Sequence, residues 1–226
     1  ASCLVGSEMC IRDRNDIEQF LNVEMNYSKK IAQDAVNNGK LLGWVLMQNT
    51  NVGPDDYNFM WVNAYPTIEI AANENAWWSN SEKVVGIKPD VLFSDSSKYK
   101  YDRSYTYKMQ MSIPNTGPAA YVILNFATPD DVNAVAASSK KYVIPHFKKN
   151  MSDNGMVGWG MATKITPQGQ EYSSMMTYDS YDSLKNAMKH LAGEGIIEGL
   201  PMDKLTKVTW EMRPIMKVIS STTEKE

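Results

Sequence analysis

From Tyr105 to Ile113 the chain alternates strictly, with Tyr105, Tyr107, Met109, Met111 and Ile113 falling between Thr106, Lys108, Gln110 and Ser112. A period of two places the apolar set on one face of a β-strand. Runs rich in β-branched and aromatic residues predict further strands at 41–48, 57–65, 121–126, 156–165 and 171–178. Val208, Trp210 and Met212 alternate with Thr209, Glu211 and Arg213 and predict a closing strand. Two longer stretches change to a helical period. In residues 16–37, Ile17, Phe20, Leu21, Ile31 and Ala35 lie near one face; from Thr128 to Met151 the same holds for Val132, Val135, Ala136, Tyr142, Val143 and Phe147. Thr128-Pro129-Asp130-Asp131 reads as a helix start and Asp153-Asn154-Gly155 as a stop. Shorter helices are predicted around 67–78 and after Asp182 or Ser180, the latter burying Leu184, Ala187, Met188 and Leu191.

The order of elements occurs twice. Gly43-Trp44 and Gly158-Trp159 each follow a predicted helix and open a strand, and the two tryptophans are 115 positions apart (159 − 44). At the same offset Tyr57 meets Tyr172 and Met60 meets Met175. Thr106-Tyr107-Lys108-Met109-Gln110 and Thr209-Trp210-Glu211-Met212-Arg213 close the two copies. Each copy reads β-α-β-β-α-β, the split-βαβ or ferredoxin-like unit. The fold class is therefore α+β, with tandem units at 15–115 and 116–220, a long insertion near 79–103 in the first, and a polar tail at 221–226.

Residues 2–14, Ser-Cys-Leu-Val-Gly-Ser-Glu-Met-Cys-Ile-Arg-Asp-Arg, closely resemble a translated sequencing-adapter segment, and residues 1–14 are read as non-native. On that reading the first unit lacks its opening strand, and any native N-terminus or signal peptide is missing. Localisation is therefore not legible. Cys3 and Cys10, the two cysteines of the chain, both fall in this segment, so no disulfide framework is predicted.

Composition narrows the function. A net charge of −3 gives no positive field for a phosphate backbone, which argues against a nucleic-acid partner. The apolar runs fall short of the roughly 20 residues that span a bilayer. P-loop, G-x-G-x-x-G, G-x-S-x-G, C-x-x-C and H-E-x-x-H patterns are absent, and no metal site is predicted. Fifteen methionines fit either a plastic core or a lipophilic pocket.

Two ferredoxin-like units in one chain resemble the dimeric α/β-barrel superfamily in fused, pseudo-dimeric form. The resemblance rests on the helix, Gly-Trp strand, turn and Tyr-containing strand between Tyr27 and Tyr65. The segments 39–44 (G-x-x-x-G-W) and 56–65 (D-Y-N-x-x-x-V-N-x-Y) are also similar to uncharacterised Bacteroidetes-type proteins. In that group a histidine often lies on the preceding helix. The second copy has it, in Val143-Ile144-Pro145-His146, whereas the first has Lys29-Lys30-Ile31-Ala32. The superfamily implies cofactor-free monooxygenases, haem-binding enzymes and proteins of no known activity.

Candidate chemistry follows from these positions. His146, beside Pro145, reads either as a general base or haem ligand, or as a helix-surface histidine. His190, at a helix end, suits the helix dipole. Trp44 and Trp159 are structural or line a cavity. Tyr57, Trp61, Asn63 and Tyr65 share one strand face, a ligand wall with one orienting amide; if that face were plain core, Asn63 would need a partner. Tyr172, Met176 and Tyr178 repeat the wall without the amide. The expectation is a protein binding a small lipophilic ligand without a cofactor, oxygenating or isomerising a substrate with an acidic proton. A non-catalytic scaffold and a haem protein using His146 are the alternatives.

Overall fold

The computed structural model describes residues 2–11, 14–51, 53, 57–73, 77–94, 99–169 and 173–224, of which 101 and 102 are described by backbone alone. By its contacts the chain divides into two units, Ala1–Thr106 with Val218–Glu226, and Tyr107–Lys217.

The first unit opens with β1 (Cys3–Cys10). This strand occupies the segment that was read as non-native, so the expectation of a missing first strand is corrected. Cys3 pairs with Tyr65 and Met9 with Phe59 in an antiparallel ladder, and Cys3, Met9 and Cys10 are buried. A segment with apolar residues at Cys3, Val5 and Met9 can satisfy the backbone groups of both neighbours, and the slot is filled. The long first helix consists of α1 (Arg14–Val23), a π-helical turn (Glu24–Ser28) and α2 (Lys29–Asn37). β2 (Gly43–Asn49) and β3 (Phe59–Tyr65) follow as an antiparallel pair. Tyr57, the first residue of the predicted strand, thus lies ahead of the observed one. The helix predicted around 67–78 begins as α3 (Ile68–Ala71), capped by the Thr67 side chain, and the insertion then carries α4 (Ser81–Val85) and α5 (Pro89–Leu92). β4 (Lys100–Ile113) starts five residues before the predicted alternation and runs on into the second unit. The strand order of the first unit is β4-β1-β3-β2.

The second unit repeats the sequence of elements with β5 (Tyr121–Ala127), α6 (Val132–Ser138), a π-helical turn (Ser139–Val143) and α7 (Ile144–Asn150). Asp131 caps α6 by accepting from the Ala134 N–H at 2.9 Å. β6 (Met156–Thr166) and β7 (Met175–Tyr181) form the hairpin, and α8 (Leu184–Leu191) is capped by Ser183, one residue after the predicted start. β7 lies later than predicted, and residues 170–172 fall outside the described set. The closing strand is also displaced. β8 covers only Trp210–Met212, and β9 (Ile215–Ser221) continues the pairing with β5. The register shifts where β5 passes from β8 to β9, and Pro214, which has no N–H to give the ladder, lies between the two strands. β8 and β9 share one edge of β5, and β7 with β6 lie on the other. In both units the first strand therefore lies between the third and the last. The chain is α+β, and the pairings within these ladders are antiparallel.

Trp44 and Trp159 lie on the second strand of their respective units, each paired with the third: Trp44 with Asn63 and Trp159 with Asp179. Each unit has its own core. Phe20, Ile31, Leu46 and Phe59 are at the centre of the first, and Ile123, Phe147, Trp159 and Met161 of the second. Full burial of one such side chain contributes about 2–3 kcal/mol.

Candidate functional site

The sheet of the first unit is not packed solid against its helices. A cavity of about 600 Å³ lies over the face carrying Trp44, Trp61, Asn63 and Tyr65. The ladder explains why these four converge. Val5, Asn63 and Trp44 form one row across β1, β3 and β2, and Ser7, Trp61 and Leu46 form the next. Alternation along β3 then puts Tyr65 on the same side. The helical side of the cavity is Gln19, Phe20, Val23, Glu24, Tyr27 and Ser28. Trp77 and Trp78, at the end of the predicted 67–78 helix, close it together with Leu92, Phe93 and Tyr99 of the insertion, which thus forms a wall. Phe20 packs edge-on against Trp61 at 5.6 Å and Tyr99 at 5.4 Å. Trp78 remains 42% exposed at this wall.

Polar groups in the cavity are few and held. Trp77 Nε1 donates to Asn63 Oδ1 at 3.0 Å. Asn63 therefore has a partner for its oxygen; among the described residues its amide nitrogen has none. Burial raises the Tyr65 phenol above its ordinary range, and Cys3 nearby adds to the effect.

The residue that sequence reasoning missed is Glu24. It is 5% exposed, opens the π-helical turn and borders the cavity. Trp61 Nε1 donates to its Oε2 at 2.9 Å and Ser28 Oγ to its Oε1 at 3.1 Å. Burial pushes its carboxyl up to about 7, against the opposing pull of those two donors. One signal was present in the sequence: Glu24 lies four residues after the core residue Phe20, an acid on an otherwise apolar helical face.

The other predicted residues lie elsewhere. Tyr57 is buried ahead of β3, its carbonyl accepting from Asn49, and does not line the cavity. In the second unit Trp159 packs edge-on against Phe147 at 6.1 Å inside the apolar core. At the matching offset the first unit carries Ala32, a smaller side chain. Tyr178 lies opposite Gly160, its phenol raised by burial. Tyr172 lies outside the described residues.

His146 sits on α7 with Nε2 2.8 Å from the Ile196 carbonyl oxygen, tying the helix to the loop at 195–197. His190 is buried between the Tyr181 hydroxyl, 2.7 Å from Nδ1, and the Arg213 guanidinium, 3.2 Å from Nε2. A haem axial ligand needs a ring nitrogen aimed into open space. The ring nitrogens of both histidines are committed to protein partners, an arrangement that does not fit haem. Among the described residues no cluster of three or more His, Cys, Asp or Glu side chains could hold a metal, and no helix is long and apolar enough to cross a membrane.

No protein-family model and no curated protein matches the chain. Solved structures do. A proposed monooxygenase from Lactobacillus acidophilus aligns with a TM-score of 0.62 at 10% identity, covering 100% of this chain and 98% of the other. An anthrone oxidase-like protein aligns with a TM-score of 0.55 at 10% identity, covering 100% and 94%. A chlorite dismutase variant from Candidatus Nitrospira defluvii aligns with a TM-score of 0.57 at 8% identity, covering 97% and 91%. At these identities the likeness is one of fold, consistent with the dimeric α/β-barrel resemblance.

Proposed function

We propose that the protein binds a lipophilic, ring-containing small molecule in the cavity of the first unit, and that its two units are tandem ferredoxin-like modules of a monooxygenase-like or isomerase-like protein. The observation that carries this reading is the cavity itself. About 600 Å³ of space bounded by indole, phenyl and phenol rings, with few polar groups converging on it, has the size and chemistry of a ligand site. A sheet face used only as core would be filled, as around Trp159. The chemistry this supports is cofactor-independent: loss of an acidic proton from the bound substrate, followed by reaction with molecular oxygen or by return of the proton at another atom.

Anthrone, a tricyclic ketone with an acidic C–H, is a suitable first probe, given the anthrone oxidase-like neighbour. Titration should quench tryptophan fluorescence saturably in the wild type. Val5→Trp, which places an indole in the cavity, should abolish the saturable phase. Linear quenching, or equal binding by the plugged variant, would refute the reading.

A further inference from the structure

We infer that Glu24 is the proton acceptor of this cavity and that Asn63 holds the oxygen of the resulting anion, so that the ligand class is a polycyclic phenol or an enolisable aromatic ketone. This inference rests on the cavity being a ligand site and adds which atoms act. Glu24 and Asn63 reach the cavity from opposite sides, one from the helical turn and one from β3. Trp61 and Ser28 each hold one carboxylate oxygen, which fixes the group while leaving further lone pairs on both. Trp77 occupies the Asn63 oxygen and so fixes that amide with its N–H groups as the remaining donors. A hydrophobic site would not bury a carboxyl without a use for it unless hydrogen bonds offset the cost; two neutral donors offset only part, because burial still dominates the proton affinity.

The step is a simple proton transfer. The Glu24 carboxylate takes H⁺ from the acidic C–H or O–H of the ligand and becomes a carboxylic acid. The electron pair left behind moves to the ligand oxygen, where the Asn63 amide donates. Return of the proton to a different carbon completes an isomerisation with no oxidant consumed. Among the described lining residues Glu24 is the one carboxylic acid, and there is no Lys, Arg, Asp or His; Tyr27, Tyr65 and Tyr99 are the other titratable groups. With burial raising Tyr65, Glu24 is the group whose ionisation falls near neutral pH.

The test uses paired probes, 9-phenanthrol and its methyl ether, which share a shape and differ in one acidic proton. At about pH 8 the wild type should prefer the phenol about tenfold, the worth of a hydrogen bond to a charged acceptor. Glu24→Gln should bring the two within about twofold. An unchanged preference in Glu24→Gln, with the ether still bound, overturns the role of Glu24 and leaves the cavity reading standing. Failure of both probes to bind the wild type overturns the cavity reading itself. A second measurement needs no variant: deuterium exchange at the acidic carbon of 2-tetralone should be accelerated by the wild type with a midpoint near the Glu24 value of about 7. Exchange no faster than in buffer, or flat from about pH 5 to 9, overturns the proposal.

Discussion

Trp61 Nε1 donates to Glu24 Oε2 across 2.9 Å, joining β3 to the π-helical turn at the edge of the cavity. The bond matters most when Glu24 is ionised, because a donor to a buried carboxylate replaces water that is no longer there. Trp61→Phe keeps the ring against Phe20 and removes the N–H. The expected loss is about 1.5–3 kcal/mol above neutral pH and clearly less near pH 5, where the carboxyl is protonated. Urea melts at the two pH values check this; equal losses at both would mean that Trp61 acts by packing alone.

Glu24 itself makes a signed prediction. Its folded-state value of about 7 exceeds the ordinary 4.5, so the folded state holds the proton more tightly than the unfolded chain. Its contribution to stability is therefore complete below about pH 4.5 and is lost as pH rises through 7, a difference of roughly 3 kcal/mol. Glu24→Gln removes that slope and should be more stable than the wild type at about pH 8, a gain obtained by giving up the proposed proton acceptor. Thermal melts of both proteins across pH 5 to 8 decide it, and parallel curves would contradict the assignment.

Much of this arrangement was legible before any coordinates. Repetition of Gly-Trp at 44 and 159 located the second strands, and period-two alternation put Trp61, Asn63 and Tyr65 on one face. Two things hid the rest. Glu24 keeps the helical spacing from Phe20 but is an acid among apolar residues, and the π-helical turn that starts there holds an extra residue, so a strict 3.6 period loses the buried face beyond it. The same turn recurs at Ser139–Val143, just before Pro145, yet the first unit makes it without any proline. The other obstacle was long-range: nothing local tells that Phe93 and Tyr99, in the insertion, return with Trp77 to cover the sheet. Residues 2–14 resemble an adapter segment, yet Cys3–Cys10 within them form the strand between β4 and β3.

The second unit titrates in the opposite sense. Arg213 donates to His190 Nε2, so the neutral ring carries its proton on Nδ1, facing the Tyr181 hydroxyl. Arg213 Nε donates in turn to Asn125 Oδ1 at 2.6 Å, and the Asn125 side-chain amide donates to Asp179. Burial lowers the affinity of His190 for a second proton, with Asp179 opposing and Arg213 assisting. The unfolded chain binds that proton more readily, so the His190 contribution is present above the ordinary 6.5 and is lost as pH falls. His190→Gln should be less stable at neutral pH, by about 1–2 kcal/mol, with a shallower decline below pH 6. Unfolding followed from about pH 7 to 5 reads both effects, and an unaltered decline would place the acid sensitivity in another group.

The two glycines before the paired tryptophans look alike in sequence and differ in what surrounds them. Gly158 lies at a register shift in β6, and a Cβ there would overlap the Asn115 side chain. Gly43 has only Thr222 Oγ1 within reach, at 3.8 Å, an ordinary contact. Gly158→Ala must therefore displace the Asn115 side chain beside the turn that Thr116 ties to β6 by donating its N–H to the Val157 carbonyl at 2.8 Å. A cost of about 1–3 kcal/mol is expected, as for other overpacked positions. Gly43→Ala should be neutral or stabilising by up to about 1 kcal/mol, because it restricts the unfolded chain without strain. Melting the two variants side by side tests whether a shared motif is held by a shared cause. Equal effects at both positions would mean that the glycine serves the same purpose twice, whereas the packing assigns it a steric role at 158 alone.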